Sequence, residues 1–219
     1  MYGLLLLSIL IALVAQINVK STFSKYNDVK NSRGVTGAQA ARDILDANGL
    51  YNVGVQRISG KLTDHYDPAA NVIRLSDSVY SSSSVAAVGI AAHEAGHAVQ
   101  HAEDWSLIRI RSRVVPAANF GSSLSVPLVI LGAVFSIRPL VNIGIILFFI
   151  VVLFHLVTLP VEFNASSRAM KTLRNNAVLD EDELDKTKKV LGAAALTYVA
   201  ALLVSVVQLF RLIAISRRN

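Results

Sequence analysis

His93-Glu94-Ala95-Gly96-His97 is the stretch around which the 219-residue chain has to be read. On an α-helix, positions four apart are separated by one turn plus about 40° and by about 6 Å along the axis, so His93 and His97 can point at one metal ion. Glu94 then lies beside that ion without ligating it. In the H-E-x-x-H spacing, two imidazoles hold Zn²⁺ and the carboxylate serves as general base toward a zinc-bound water. The surroundings predict a helix: the serines at 81–84 offer N-caps, and 85–99 is dominated by Ala, Val and Ile without proline. A core helix whose histidines are merely hydrogen-bonded is the competing reading. It would bury a Glu and two His together without a metal, which is costly. The expectation is one Zn²⁺ per chain on this helix.

Outside the motif the chain is that of a membrane protein. It is 53% hydrophobic and 16% charged, with a mean hydropathy of +0.50. Crossing a hydrocarbon core takes roughly 20 residues of helix. Four segments free of Asp, Glu, Lys and Arg approach or exceed that length: 2–19, 114–137, 139–161 and 190–210. The first could also be a cleaved signal peptide, but no Lys or Arg precedes its apolar run and no clear A-x-A site stands ahead of Gln16, so a retained anchor is expected. Only Arg138 separates the second and third, which predicts a tight helical hairpin. Pro116, Asn119 and Pro127 predict an irregular start to the second span, its embedded part beginning nearer Gly121.

Short flanking loops rich in Lys and Arg orient such spans. Lys20, Lys25, Lys30 and Arg33 follow the first; Arg109, Arg111 and Arg113 precede the second; Arg168, Lys171, Arg174, Lys186, Lys188 and Lys189 lie between the third and fourth. All three stretches are cytoplasmic in one topology, with the N-terminus outside. A fourth crossing, however, places Arg211, Arg217 and Arg218 outside. Either the last helix does not cross or the tendency is outvoted; four spans are expected. The net charge of +6 comes from these flanking cations, which favour anionic lipid headgroups and not nucleic acid. With no cysteine, disulfides, thiolate ligands and cysteine nucleophiles are excluded. Asp180-Glu181-Asp182-Glu183, followed by Lys186, Lys188 and Lys189, suits a helix running into the last span, with a solvated acidic face.

Residues 20–113 carry 11 Lys or Arg and 9 Asp or Glu, a balanced composition expected of a water-facing domain. Thr36-Gly37-Ala38-Gln39 resembles a capping box opening a helix to about Ala47, stopped at Asn48-Gly49. Three β-like stretches follow, 53–58, 62–66 and 72–75, divided by Gly60 and the turn-forming Asp67-Pro68-Ala69-Ala70-Asn71. The stretch 72–75 either offers its backbone to an extended peptide substrate or is simply a hairpin strand packed on the metal helix.

A catalytic zinc usually has three protein ligands and an open position. His101 lies about 12 Å along the axis from His93, too far for one straight helix to share an ion. The metzincin pattern fails as well, with Gln100 and Glu103 at its Gly and third His positions. Glu162, just past Pro160 at the end of the third span, is the better candidate, because a lone carboxylate at the edge of an apolar helix needs a partner. The alternative is an interfacial Glu paired with Arg168. His155 could support the site, stabilise an oxyanion or bond a neighbouring helix. Arg168 could stabilise a developing negative oxygen, hold Glu162 or be a surface charge. His65 is a candidate for the cleft, and Trp105 for an interfacial anchor.

HEAGHAVQ at 93–100, followed by two spans and LPVEFNASSRA at 159–169, with LTDHYDP at 62–68 upstream, resembles the bacterial membrane neutral zinc metallopeptidase family of the YugP type over almost the whole chain. The order H-E-x-x-H, membrane hairpin, Glu also resembles the HtpX and CAAX-prenyl-protease group of gluzincins, in which the later Glu is the third zinc ligand. The resemblance implies His93, His97 and Glu162 as ligands and Glu94 as catalytic base. That group has an Asp four residues after the ligand Glu, helping to orient a zinc histidine. Here the position is Ser166, leaving Asn164, Ser166 or Ser167 to take that part. The fold implied is a mainly α membrane protein: four transmembrane helices and a small α+β gluzincin-like cytoplasmic metalloprotease domain. Its parts would be an anchor at 1–19, the cytoplasmic domain at 20–113, a membrane hairpin at 114–161, a cytoplasmic helical segment with the third ligand at 162–189, and a last span with a basic tail at 190–219.

The activity implied is that of a zinc metalloendopeptidase in the bacterial plasma membrane. It would hydrolyse membrane or membrane-proximal proteins, its active site facing the cytoplasm. The alternative is a weakly active or non-catalytic zinc-binding scaffold or adaptor working through a partner membrane protein. Gly132, Gly144, Gly192 and the alanines at 193–195 would allow close helix contacts, and a homo-oligomer is open as well. The spans carry too few polar groups for a transporter's ion path.

Overall fold

The computed structural model describes residues 2–216; Arg217 and Arg218, two of the cations that bear on the last crossing, lie outside them. The chain is mainly helical: α1 (Tyr2–Asn27), α2 (Gly37–Ala47), α3 (Asp77–Tyr80), α4 (Val85–Ala102), α5 (Ser106–Val134), α6 (Arg138–Asn175) and α7 (Glu181–Ser216). Three short strands, β1 (Gly54–Ile58), β2 (His65–Asp67) and β3 (Val72–Ser76), lie between α2 and α3. These elements form two compact units, one from residues 2–16, 106–160 and 196–216, the other from residues 17–105 and 161–195.

In the first unit the hydrophobic pattern produces helices long and apolar enough to cross a membrane. Among the described residues there are four such helices, α1, α5, α6 and α7. Pro116 and Pro127 do not make the start of α5 irregular as expected: the helix is continuous from Ser106, the ring at each site costing one backbone bond. The α5–α6 hairpin turns at Ser136, whose φ of 57° is left-handed. Small residues bring its arms together. A Cβ at Gly121 would meet the Leu147 carbonyl oxygen at 2.6 Å, and one at Gly144 the Ser125 carbonyl oxygen at 2.7 Å. Val129, Val141, Phe148, Val152 and Leu212 form its buried core.

The second unit is built round α4. Ala86, Ala87, Ala91, Ala92 and Ala95 are fully buried, as befits a helix apolar on nearly all sides. Ser84 caps it, its side chain accepting from the Ala87 N–H at 3.1 Å. Against it packs α2, which opens on the predicted capping box: the Gln39 N–H donates to Thr36 Oγ1 at 3.3 Å and the Thr36 N–H to Gln39 Oε1 at 2.8 Å. Ile44, Leu45, Ile73, Leu75, Val79, Leu173 and Leu184 complete the core.

The sheet order is β1-β3-β2, with β1 parallel and β2 antiparallel to β3. Of the two readings of 72–75 this favours the hairpin strand: β3 is paired along its length with β1 and over 72–74 with β2, which leaves it no open edge for a peptide. The second β-like stretch is also shorter and later than read, because Leu62, at φ 56°, is in the left-handed region and cannot continue a strand. The acidic run is not simply a solvated face. Glu183 is only 6% exposed. It exchanges backbone bonds with Asp180 at 2.9 and 3.0 Å to cap α7, and its other oxygen accepts the Ser32 N–H at 2.6 Å.

Helix α6 has 38 residues, about 57 Å at about 1.5 Å per residue, whereas a hydrocarbon core is about 30 Å thick. It therefore has to continue beyond any membrane it crosses. Its residues from Val161 onward, in the second unit, include Glu162, Asn164, Ser166 and Arg168.

Candidate metal centre

Helix α4 presents His93 and His97 one turn apart with ring centroids 4.7 Å from each other and planes nearly perpendicular. Both Nε2 atoms converge on one oxygen of α6. His93 Nε2 is 3.2 Å and His97 Nε2 3.5 Å from Glu162 Oε2. One ligand atom from each of the three side chains lies within 4.8 Å of the others, close enough to hold a metal ion. Glu162 is 2% and His97 8% exposed, while His93 is only partly buried. Two imidazole nitrogens and a carboxylate oxygen form a donor set suited to Zn²⁺.

Each imidazole is also held from behind. His93 Nδ1 lies 3.1 Å from Ser166 Oγ, so this hydroxyl, four residues past Glu162, does meet a histidine of the site. His97 Nδ1 lies 2.9 Å from Gln100 Oε1. Burial works against the charged form of His97, but the bond to Glu162 and the fields of Glu94 and Glu162 outweigh it and raise the imidazole above its ordinary value. Burial likewise works against an ionised Glu162, and the two imidazoles overcome it and hold its carboxyl below the usual range.

Glu94 lies near enough for its field to act on His97. The Tyr66 N–H of β2 donates to its Oε2 at 2.9 Å, so the edge strand of the sheet grips the carboxylate through its backbone. The LTDHYDP segment shapes that strand. Asp64 accepts from the Ser76 N–H at 2.7 Å and from its hydroxyl at 3.1 Å. Asp67 accepts from the Ala69 and Ala70 N–H groups and pairs with Arg74. Burial pushes the Asp64 carboxyl up, the bonds from Ser76 offsetting only part of the rise.

Several candidates lie elsewhere. Arg168 pairs with Glu103 at 2.7 Å and bonds Asn164, so it is not the partner of Glu162. His65 is exposed on β2, its Nδ1 2.8 Å from the Thr63 carbonyl oxygen. His101 stacks near Tyr66 with centroids 5.5 Å apart and is outside the three-residue cluster, as its helical spacing requires. His155 belongs to the other unit. Sequence reasoning missed the Tyr66 N–H, Gln100 and Gly96. A backbone donor leaves no trace in residue identity. Gln100 did leave a signal, a polar residue inside an apolar helix one turn after a ligand candidate. A Cβ at Gly96 would meet the Ala165 carbonyl oxygen at 2.7 Å; the bare glycine is what lets α4 lie against the backbone of α6.

A mainly helical chain with four potential membrane spans and a His/His/Glu cluster that can hold a metal defines a class, and comparison with known proteins places the chain within it. Residues 1–217 match the family described as "Putative neutral zinc metallopeptidase", and the chain belongs to that family. It is similar to "Putative membrane protease YugP" of Bacillus subtilis (strain 168), with 48% identity over 201 residues, covering 92% of this chain and 89% of the relative. No solved structure matches it.

Proposed function

We propose that the chain is a zinc-dependent endopeptidase of the gluzincin type that cleaves membrane or membrane-proximal proteins at the cytoplasmic face of the bacterial plasma membrane. The convergence of His93 Nε2, His97 Nε2 and Glu162 Oε2, with Glu94 beside them, carries the reading. His93, His97 and Glu162 would hold the ion. Bound there, zinc supplies a Lewis acid toward the scissile carbonyl and lowers the pKa of its water. Glu94 takes a proton at its carboxylate and passes it to the leaving amine. The Tyr66 N–H occupies Glu94 Oε2, which keeps the carboxylate in one rotamer and leaves Oε1 to exchange the proton. Membership of a zinc metallopeptidase family and similarity to a membrane protease support the class of reaction. The basic flanks of the spans support the cytoplasmic orientation.

The scaffold alternative rests on Gly132, Gly144, Gly192 and the alanines at 193–195; Gly132 and Gly144 are taken up inside the α5–α6 hairpin, whereas a Cβ at Gly192 would meet nothing within 4 Å. Glu94→Gln tests the enzymatic reading, with an unstructured protein as substrate and the full chain in detergent. Cleavage should vanish while zinc stays bound at one ion per chain; cleavage at the wild-type rate would refute the assignment.

A further inference from the structure

We infer that Gln100 is a positioning residue: its amide fixes His97 in the tautomer that presents Nε2 to the metal, and ties that imidazole to the backbone one residue before Glu162. The inference rests on the metal centre proposed above and adds to it a residue that decides how firmly one ligand is held.

Gln100 is fully buried, in a helix whose other buried positions are Ala, Val, Gly and His97. A buried amide without partners is costly, so its bonds have to account for its presence. Its Nε2 donates to the Val161 carbonyl oxygen and to Asn164 Oδ1, each at 2.9 Å. A backbone carbonyl can only accept, which identifies the nitrogen end of the amide. Asn164 is oriented independently, since its Oδ1 also accepts from Arg168 Nε at 2.7 Å, and Arg168 is held by Glu103. Both amide hydrogens of Gln100 are thereby used, and Oε1 is left facing His97 Nδ1 at 2.9 Å.

An amide oxygen only accepts, so Nδ1 keeps its proton, and the proton that Nε2 shares with Glu162 Oε2 is the one a metal would displace, freeing the Nε2 lone pair. Every donor and acceptor from the Glu103–Arg168 pair to His97 therefore has one possible sense. His93 has no such constraint, because the Ser166 hydroxyl behind it can either donate or accept. Gln100 also bridges α4 to α6 at Val161 and so couples the His97 ring to the turn that carries Glu162.

The test uses the full chain in detergent, zinc affinity from chelator competition, and the melting temperature of the metal-free protein, for wild type, Gln100→Leu, Gln100→Glu and His97→Ala. Gln100→Leu keeps the volume but removes the acceptor, and its zinc affinity should fall about 10–100-fold, the usual loss when the group supporting a metal histidine is removed. Gln100→Glu keeps an acceptor at His97 but sets its second oxygen against the Val161 and Asn164 oxygens. It should bind zinc nearly as well as wild type while melting lower without metal. Affinity then follows the acceptor and not the stability. Wild-type affinity in Gln100→Leu, or equal losses in the two variants, would overturn the inference and leave the metal centre standing. Undiminished zinc binding by His97→Ala would overturn both.

Discussion

At the scale of single residues, the centre is defined by which atom of each ring faces forward. His93 and His97 turn Nδ1 toward Ser166 and Gln100 and Nε2 toward Glu162, so the ligand set is a property of ring orientation as much as of residue type. His97→Ala and Glu162→Ala should each drop zinc in the purified protein from one ion per chain to background, as read by elemental analysis. A full complement of zinc in Glu162→Ala would remove α6 from the site. Asp64 carries a pH prediction. Its folded carboxyl titrates above its ordinary value because burial outweighs the bonds from Ser76, so the fold binds that proton more tightly than the unfolded chain does. The contribution to stability is then present below the unfolded value and lost as pH rises through the raised one. In Asp64→Asn that loss is absent. The melting temperature of the variant minus that of wild type should increase as pH climbs from about 3.8 upward, the ordinary value of the group. A difference that stays flat or shrinks over that window would contradict the burial argument.

At the scale of elements, the decisive contact is α4 against the part of α6 beyond Val161. HEAGH places a glycine on the face that touches Ala165, and the close approach brings Glu162 within reach of two imidazoles on another helix. Gly96→Ala would put a Cβ where the Ala165 carbonyl oxygen is; backbone cannot move aside as a side chain does, so the helices must separate. The expected cost is about 1–3 kcal/mol in chemical unfolding, the usual range for an overpacked core. A matching loss of zinc affinity should accompany it as Glu162 retreats. Unchanged unfolding and unchanged affinity would mean the contact is looser than its geometry. The sheet contributes by its edge: β2 pairs with β3 on one side and turns the Tyr66 N–H toward Glu94 on the other. Strand β3, enclosed between two neighbours, has no such freedom.

At the scale of the molecule, one unit is built of apolar helices with apolar exteriors and the other contains the His93, His97 and Glu162 cluster. Leu4, Leu6, Val14, Ile146 and Phe210 are more than half exposed, which water would penalise and lipid would not. Four crossings with the N-terminus outside put the C-terminus outside as well. A C-terminal reporter active on one side only should therefore register the outer side. A cytoplasmic signal would withdraw the fourth crossing and turn the cations near the C-terminus into an ordinary case of the positive-inside tendency.

The sequence by itself determined what depends on neighbours along the chain. His93 and His97 share a helix face because four residues make slightly more than a turn, Thr36 and Gln39 cap α2 because their backbones are three residues apart, and the spans follow from the length of their apolar runs. Glu162 was legible as a lone carboxylate that needed a partner, and which partner was a matter of tertiary packing: two histidines, not Arg168. The Tyr66 N–H on Glu94, the Gln100 bridge and the enclosure of β3 were likewise decided only by the tertiary structure. Every residue but proline carries a backbone donor, and the short, mainly apolar run 72–76 reads the same at an edge as at a centre. Which donor meets which carboxylate is settled only when helices and strands far apart in sequence pack in one register.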